Sequence, residues 1–163
     1  MSTIDEATIQ IAAWLNLQQA NRVLDGAFDH RIRAAAGVSM AEYEVLFRLS
    51  HAGGKPMQMA QIATQLIASP SGTTRIADRL DRDGLITRHT PEDNRRVVEI
   101  NLTPKGRRVL DKADRAFREA LGESFSANLS MREIETLRVL MRKLLEGNDA
   151  WNEARCSPGL TPS

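Results

Sequence analysis

The stretch SPSGTTRIADRLDRDGLITR, from Ser69 to Arg88, limits the possible folds more than any other part of the chain. It opens with a serine that can cap a helix and a proline suited to the first helical position. Ile76 and Leu80 recur at helical spacing, and Gly84 ends the pattern. Strand-forming residues follow at once. The stretch therefore predicts a short amphipathic helix with a small, hydroxylated first turn, leading directly into a strand.

The neighbouring residues extend this helix into a larger unit. A shorter helix is predicted at about residues 57–66, and a three-residue turn separates it from the second helix. The run LITR and the alternating residues Val98, Ile100 and Leu102 then form two strands joined by the polar loop HTPEDNRR, residues 89–96. This order of helix, turn, helix and hairpin is that of a winged helix-turn-helix.

Long amphipathic helices are predicted on both sides of this unit. The first covers about residues 5–36 and ends at Gly37. Capping boxes at residues 39–42 and 130–133 open two further helices, and Thr103-Pro104 opens a long one. The apolar stripe of the first helix consists of Trp14, Leu17, Leu24, Phe28 and Ile32.

These terminal stripes carry more apolar surface than the central unit needs to cover. Packing against a second copy of the chain would bury it, so we expect a homodimer. Packing of the stripes on each other within one chain is the alternative. The predicted fold is mainly α with a small β-hairpin wing, a winged helix-turn-helix flanked by N- and C-terminal dimerisation helices. Its predicted divisions are residues 1–36 (N-terminal dimerisation helix), 37–103 (winged helix-turn-helix), 104–151 (C-terminal dimerisation helices) and 152–163 (flexible tail).

Charge is unevenly distributed along the 163 residues. The net charge is +1, yet residues 54–108 contain ten Lys and Arg against six Asp and Glu. The flanking segments are therefore acidic. A basic centre between acidic flanks indicates a local site for a polyanion, although charge alone fits an ordinary mixed surface equally well.

The remaining composition bears on the compartment. No run of about 18 apolar residues predicts a membrane span, and the first ten residues lack the form of a secretion signal. Cys156 is the single cysteine and cannot form an internal disulfide. We therefore expect a cytoplasmic protein with no membrane partner.

The first turn of the second helix has the properties of a surface that meets double-stranded DNA. Hydroxyls can bind phosphate, a glycine permits close approach, and a helix N-terminus adds N–H groups and partial positive charge. Arg75 and Arg79 lie opposite or beside the apolar face and are candidates for base-edge contacts. Asp78 lies between them, where it would orient one arginine or exclude wrong bases. The candidate phosphate contacts are Ser69, Ser71, Gly72, Thr73 and Thr74.

The polar loop of the hairpin supplies a second signal. Arg95 and Arg96 stand at its end, where a guanidinium can enter a narrow minor groove. Taken alone, the helix also fits an ordinary solvated face, and the loop also fits one that is basic by chance. Helix and hairpin in this order favour DNA as the partner.

Three runs resemble the MarR family of winged-helix transcription regulators: GVSMAEYEVLFRLSHAGG, QIATQLIASPSGTTRIADRLDRDGLITR and NRRVVEINLTPKGRR. The most specific landmarks are Gly84-Leu85, Arg88 and the Leu102-Thr103-x-x-Gly106 motif. The resemblance implies a homodimer with interlocked terminal helices on a pseudo-palindromic operator. Its recognition helices would enter successive major grooves and its wings the adjacent minor grooves, and Arg88 joins the DNA-binding candidates.

The wing departs from the family pattern at one position. In the family an aspartate braces the arginine that enters the minor groove. Here Asn94 takes the place of that acid and Arg96 is the matching arginine, while Asp93 is the alternative brace. An amide braces a guanidinium more weakly than a carboxylate, because the hydrogen bond lacks charge assistance.

The resemblance also implies release from DNA by a small effector, often a phenolic or aromatic anion, bound between the dimer helices and the DNA-binding lobe. For Trp14 and Phe28 the favoured alternative is packing in the core. For His30 and His51 it is a position on the surface. The candidate pocket residues are Trp14, Phe28, His30, Phe47 and His51.

Other classes of protein have less support. Three scattered histidines, one cysteine in the tail and no glycine-rich phosphate loop supply no catalytic or metal-binding set, so we expect neither enzyme activity nor a metal or cofactor. The position of Cys156 does not indicate redox sensing. We predict a dimeric, ligand-responsive DNA-binding repressor. The alternative is a winged helix that binds another protein without direct DNA readout.

Overall fold

A computed structural model describes residues 5–66, 70–92, 94 and 97–156, except for the side chains of residues 70, 71, 154 and 155. The described chain is mainly helical, with three short strands and a turn of 3-10 helix at Ser126–Asn128. In chain order the elements are α1 (Glu6–Ala36), α2 (Met40–His51), β1 (Met57–Gln58), α3 (Met59–Gln65), α4 (Pro70–Arg82), β2 (Ile86–His89), β3 (Glu99–Leu102), α5 (Pro104–Ser124), α6 (Met131–Glu146) and α7 (Glu153–Cys156).

Helix α1 is buried only along its second half. Asp5 caps its start by accepting a hydrogen bond from the Thr8 N–H at 3.1 Å, and Gly37 ends it in the left-handed region at φ 73°. Phe28 is buried, and its ring lies edge-on to Phe117 of α5 with centroids 5.3 Å apart. The C-terminal half of α1 therefore anchors the helix on α5.

The first half of α1 exposes large apolar side chains. Trp14 is 57% exposed, so the expectation that it packs in the core of the single chain is wrong. A monomer rarely leaves so many large apolar groups in water on one element. The exposed apolar residues are Ile9, Ile11, Trp14 and Leu15 in this half, and Val23 just beyond it.

One aliphatic core joins α2, α3, α4 and the sheet to α1 and α5. Leu46, Ile62, Leu80 and Ile100 are fully buried there, each from a different element. Burying a side chain of this size stabilises the fold by roughly 1.5–3 kcal/mol. The core thus fixes the inner face of α4 and leaves its outer face to solvent.

The three strands form an antiparallel sheet in the order β1-β3-β2. Ile86 of β2 pairs with Leu102, as expected for the hairpin, whereas Met57 of β1 pairs with Ile100. The sequence predicted helix from about residue 57, but α3 begins at Met59. Tertiary pairing with β3 overrides the local pattern here, and a two-residue strand is too short to show alternation.

A close junction joins the wing to the start of α5. The Thr103 hydroxyl donates to the Gly84 carbonyl at 2.8 Å and accepts from the Gly106 N–H at 2.9 Å. A Cβ built on Gly106 would collide with the backbone carbonyl oxygen of Leu85. Only glycine fits this approach, which explains the threonine and glycine landmarks seen in the sequence.

Helix α6 has no buried residue, and four of its large apolar side chains are exposed to solvent. Part of the segment predicted as a flexible tail forms α7, and the Asn152 amide donates to the Thr64 carbonyl at 3.5 Å. Residues 157–163 of that tail lie outside the described part. No helix in the described chain is both long and apolar enough to span a membrane. The exposed apolar residues of α6 are Met131, Val139, Leu140 and Leu144.

Candidate nucleic-acid interface

Helix α4 presents two chemically different faces. Ala77 and Leu80 are buried against the core, whereas Thr74, Arg75 and Arg79 are exposed on the opposite side. The structure describes this helix from Pro70 onward. The N-terminal end of any helix carries partial positive charge, which favours an anion there. The outer face therefore combines hydroxyl, guanidinium and helix-end groups.

Thr73 does not belong to that outer face. Its side chain is 0% exposed, so the prediction of a phosphate contact through its hydroxyl is wrong. The physical reason is helical periodicity, because Thr73 precedes Ala77 by four residues and Leu80 by seven. The same spacing in the sequence could have placed this threonine inward.

Arg79 is exposed and also paired. Its Nη1 lies 3.3 Å from Oε1 of Glu42, a buried carboxylate on α2. The Arg79 side chain remains 59% exposed, so the guanidinium reaches solvent while one end is held. The sequence indicated Glu42 only as a helix cap, and no local pattern reveals a partner that lies 37 positions away in the chain.

Arg88 connects the wing to the recognition helix. Its Nη2 lies 2.7 Å from Oδ1 of Asp78, its Nε lies 3.8 Å from Oδ2 of Asp81, and its side chain is only 27% exposed. Two carboxylates of α4 therefore neutralise this guanidinium. In the structure Arg88 links β2 to α4, and its predicted DNA contact stays a prediction. Asp78 accordingly orients Arg88 and not Arg75 or Arg79.

Arg75 lies on the outer face of α4. It is exposed, and no carboxylate in the described part of the chain lies within ion-pairing distance of it. Thr74 is exposed one position earlier, and Gly72 is half-buried in the first turn. The predicted contacts Ser69, Arg95 and Arg96, and the alternative brace Asp93, lie outside the described residues, as does the side chain of Ser71.

Asn94 lies at the end of the wing turn and is exposed. Its N–H donates to the Pro91 carbonyl at 3.2 Å, and its carbonyl accepts from the Val97 N–H at 3.0 Å. These backbone bonds close the loop before β3. Both are short-range turn bonds, as the turn-rich loop expected from the sequence would make.

Two adjoining cavities lie between α2 and α5. One, of about 180 Å³, is lined by Phe47 and His51 among others, and the second, of about 240 Å³, shares Phe47 with it. The Phe47 and His51 rings are stacked at a tilt with centroids 4.2 Å apart. Asp114 and Arg118 of α5 line both cavities.

Three of the predicted pocket residues lie elsewhere. Phe28 is packed on Phe117, the core position that the sequence favoured as its alternative. Trp14 and His30 are exposed on α1 and do not line either cavity. All three belong to α1, whereas both cavities are lined by α2 and α5.

A hydrogen-bond network borders the larger cavity. The Tyr43 hydroxyl donates to Oδ1 of Asp114 at 2.9 Å, and Arg118 Nε donates to Oδ2 at 2.7 Å. Burial of the phenol, together with its bond to the carboxylate, raises the pKa of Tyr43 well above its ordinary value. Tyr43 therefore stays a neutral donor at any physiological pH. The sequence gave no sign of this network, because its members lie 71 positions apart.

A sequence profile of the MarR family matches residues 38–98. The chain is 31% identical over 124 residues to the uncharacterised HTH-type transcriptional regulator YkoM of Bacillus subtilis, covering 75% of this chain and 79% of that protein. It is 29% identical over 120 residues to the transcriptional repressor MprA of Escherichia coli, covering 74% of this chain and 68% of the repressor.

The fold is also found among solved structures. Sco3205, a MarR family transcriptional regulator from Streptomyces coelicolor crystallised with DNA, matches with a TM-score of 0.80 at 21% identity. The match covers 90% of this chain and 91% of that one. It extends over the terminal helices as well as the winged unit.

Proposed function

This chain belongs to the MarR family of transcriptional regulators, and from that premise we propose that it acts as a homodimeric repressor. In this proposal α4 enters the major groove of a pseudo-palindromic operator, and a small aromatic anion releases the protein from DNA. The transcriptional repressor MprA, similar over most of its length, supports repression as the direction of control.

The outer face of α4 is the observation that carries the proposal. Thr74, Arg75 and Arg79 are exposed on one side of a helix whose other side is fixed in the core. A rigid helix with short donors near its start and guanidinium groups a turn later fits the major groove. A surface for binding another protein would instead be expected to expose apolar residues there.

The contacts we propose to DNA divide by chemistry. Arg75 and Arg79 contact base edges, whereas Ser69, Ser71, Gly72 and Thr74 contact phosphates near the helix start. Arg95 and Arg96 of the wing enter the adjacent minor groove, with Asn94 or Asp93 as the brace. Arg88 supports this arrangement from behind, through its ion pairs to α4.

Homodimer formation is proposed from the apolar side chains that the single chain leaves exposed. They lie on α1 as far as Val23 and along α6, toward the two ends of the chain. Burying them against a second copy would cover both sets at once. A two-fold dimer would then bind two half-sites about one helical turn apart, on the order of 34 Å.

The cavities between α2 and α5 are the proposed effector site. Phe47 supplies an aromatic wall to both, and the Arg118 guanidinium lies at their shared edge. An aromatic ring with one carboxylate matches this combination of apolar wall and cation. A ligand that spreads α2 from α5 would change the separation of the two recognition helices in a dimer.

Selection of binding sequences tests the central proposal. The purified protein is mixed with a random library of duplexes, and retained DNA is sequenced after repeated rounds. The proposal predicts a recurring motif with two related half-sites in inverted orientation. Retention of DNA with no common sequence would contradict it, and so would the absence of any retained DNA, the result expected of a protein-binding module.

The effector proposal has its own test. Benzoate and the neutral analogue benzamide are titrated into the complex with the selected duplex, and DNA release is followed by fluorescence anisotropy. Benzoate should release the DNA at lower concentration than benzamide, and Arg118→Gln should remove that difference. Equal potency of the two compounds would contradict a site that recognises an anion.

A further inference from the structure

Glu42 makes more contacts than a helix cap requires. Its Oε2 accepts hydrogen bonds from the Ser39 N–H at 2.7 Å and from the Ser39 hydroxyl at 2.9 Å. Its Oε1 faces the Arg79 guanidinium at 3.3 Å, and the side chain is only 5% exposed. One oxygen thus completes the cap of α2, and the other is directed at the recognition helix.

A second capping box in the same chain shows what the cap alone needs. At the start of α6 the Ser130 N–H and hydroxyl donate to Oε2 of Glu133 at 2.8 and 2.7 Å, nearly the same bonds as in α2. Glu133 is exposed, and no arginine in the described chain pairs with it. A cap therefore works in solvent. Burying the Glu42 charge carries a desolvation cost that capping does not explain.

The start of α2 is also held from the side of α1. The Met40 N–H donates to Oδ1 of Asp29 at 2.8 Å, and Arg33 Nε donates to Oδ2 of the same carboxylate at 2.6 Å. Partial burial of Asp29 opposes its ionisation, but the bonds from Arg33 and Met40 prevail and hold its pKa below the usual value. Asp29 therefore remains charged near neutral pH.

These contacts form one continuous polar chain between α1 and α4. Asp29 holds the first N–H of α2, the cap of α2 includes Glu42, and Glu42 holds Arg79. We propose that Glu42 is a positioning residue for DNA recognition, which fixes the Arg79 guanidinium relative to α2 and, through Asp29, relative to α1. This inference rests on the proposed function, since it concerns how α4 recognises a sequence.

The physical consequence is a gain in specificity. A free arginine has many rotamers and loses that freedom when it contacts a base, which weakens selective binding. Arg79, held at one Nη, has lost part of its rotamer freedom before it binds, while its side chain stays 59% exposed. An Arg79 without this partner would adapt to phosphates of any sequence. The pairing thus favours base contact over general attraction.

Glu42→Gln separates the two roles of this residue. Glutamine at the same position retains the capping geometry but removes the charge that holds Arg79. Glu133→Gln is the matched control, because it makes the same substitution at the same position of the other capping box. Thermal unfolding followed by circular dichroism confirms that each variant is folded.

The measured quantity is the ratio of affinities for the duplex selected by the wild-type protein and for a random-sequence duplex of equal length. Glu42→Gln should lower this ratio about tenfold, mainly by losing affinity for the selected duplex. Glu133→Gln should leave the ratio unchanged. In an Arg79→Ala background, Glu42→Gln should cause no further loss, because the group it positions is gone.

Two results overturn the inference while leaving the proposed function intact. The first is a wild-type protein that discriminates between the duplexes while Glu42→Gln discriminates equally well. The second is the same loss from Glu42→Gln with and without Arg79, as a purely structural role would produce. A wild-type protein that binds both duplexes alike overturns the inference and the proposed function together.

Discussion

Three arginines that lie close together in the sequence differ in the groups that surround them. Arg75 is exposed without a carboxylate partner in the described chain, Arg79 is held by Glu42, and Arg88 is enclosed by two aspartates of α4. Their spacing on a helix and strand was readable from the sequence. Their partners were not, because long-range ion pairs depend on how the elements pack.

Arg75→Ala should weaken binding to the selected duplex by about 1–3 kcal/mol and relax the sequence preference, because a base contact is lost. Anisotropy titrations with selected and random duplexes measure both effects. Arg115→Ala, which removes an exposed arginine of α5 away from α4, should have little effect. Equal loss on both duplexes would mean that Arg75 contacts phosphate and not bases.

Arg88→Ala should reduce the free energy of unfolding by about 1 kcal/mol or more, because Asp78 and Asp81 would lose their shared cation. Combining it with Asp78→Ala in a double-mutant cycle should give a coupling energy above about 0.5 kcal/mol by urea denaturation. Unchanged stability with uniformly weaker DNA binding would instead return Arg88 to the DNA contacts.

At the scale of elements, local chemistry fixed most boundaries. Ser39 and Ser130 cap α2 and α6 with full capping boxes, and Thr103 caps α5 with a proline after it, as the sequence predicted. Strand β1 was missed because its pairing with β3 is long-range. The predicted phosphate contact of Thr73 was wrong because it rested on the hydroxyl group and not on the position of the residue around the helix, which is buried.

The junction between the wing and α5 gives a sharp test at this scale. Gly106→Ala should destabilise the fold by about 2–4 kcal/mol, because the added methyl group collides with the Leu85 carbonyl. Gly122→Ala in the same helix meets nothing within 4 Å and should stabilise it by roughly 0.5–1 kcal/mol. Chemical denaturation measures the stability of both variants. A change in the same direction in the two would contradict this account.

At the scale of the whole molecule, the apolar stripes predicted a partner for the terminal helices. The single chain buries Phe28 and Ile32 of the first stripe and leaves Trp14 exposed. The sequence indicated which helices carry surplus apolar surface. It did not show that α1 is buried only from Phe28 onward, since that division depends on how α1 packs on α5. The cavities between α2 and α5 likewise arise from packing and have no local signature.

Leu140→Glu should shift the proposed dimer toward monomer, because it places a charge among the exposed apolar residues of α6. Sedimentation velocity measures the shift, and circular dichroism should show unchanged helix content. Arg132→Glu, at an exposed polar position of the same helix, is the control and should remain dimeric. A wild-type protein that is monomeric at all concentrations would contradict the proposed assembly.

The dependence of DNA affinity on salt tests the central claim most directly. If α4 and the wing of two chains contact six or more phosphates, the logarithm of the association constant for the selected duplex should fall linearly with the logarithm of salt concentration, with a slope of about −5 or steeper. The affinity for the selected duplex should exceed that for random DNA throughout the series. An affinity that is insensitive to salt, or equal for both duplexes, would contradict a surface built to recognise DNA.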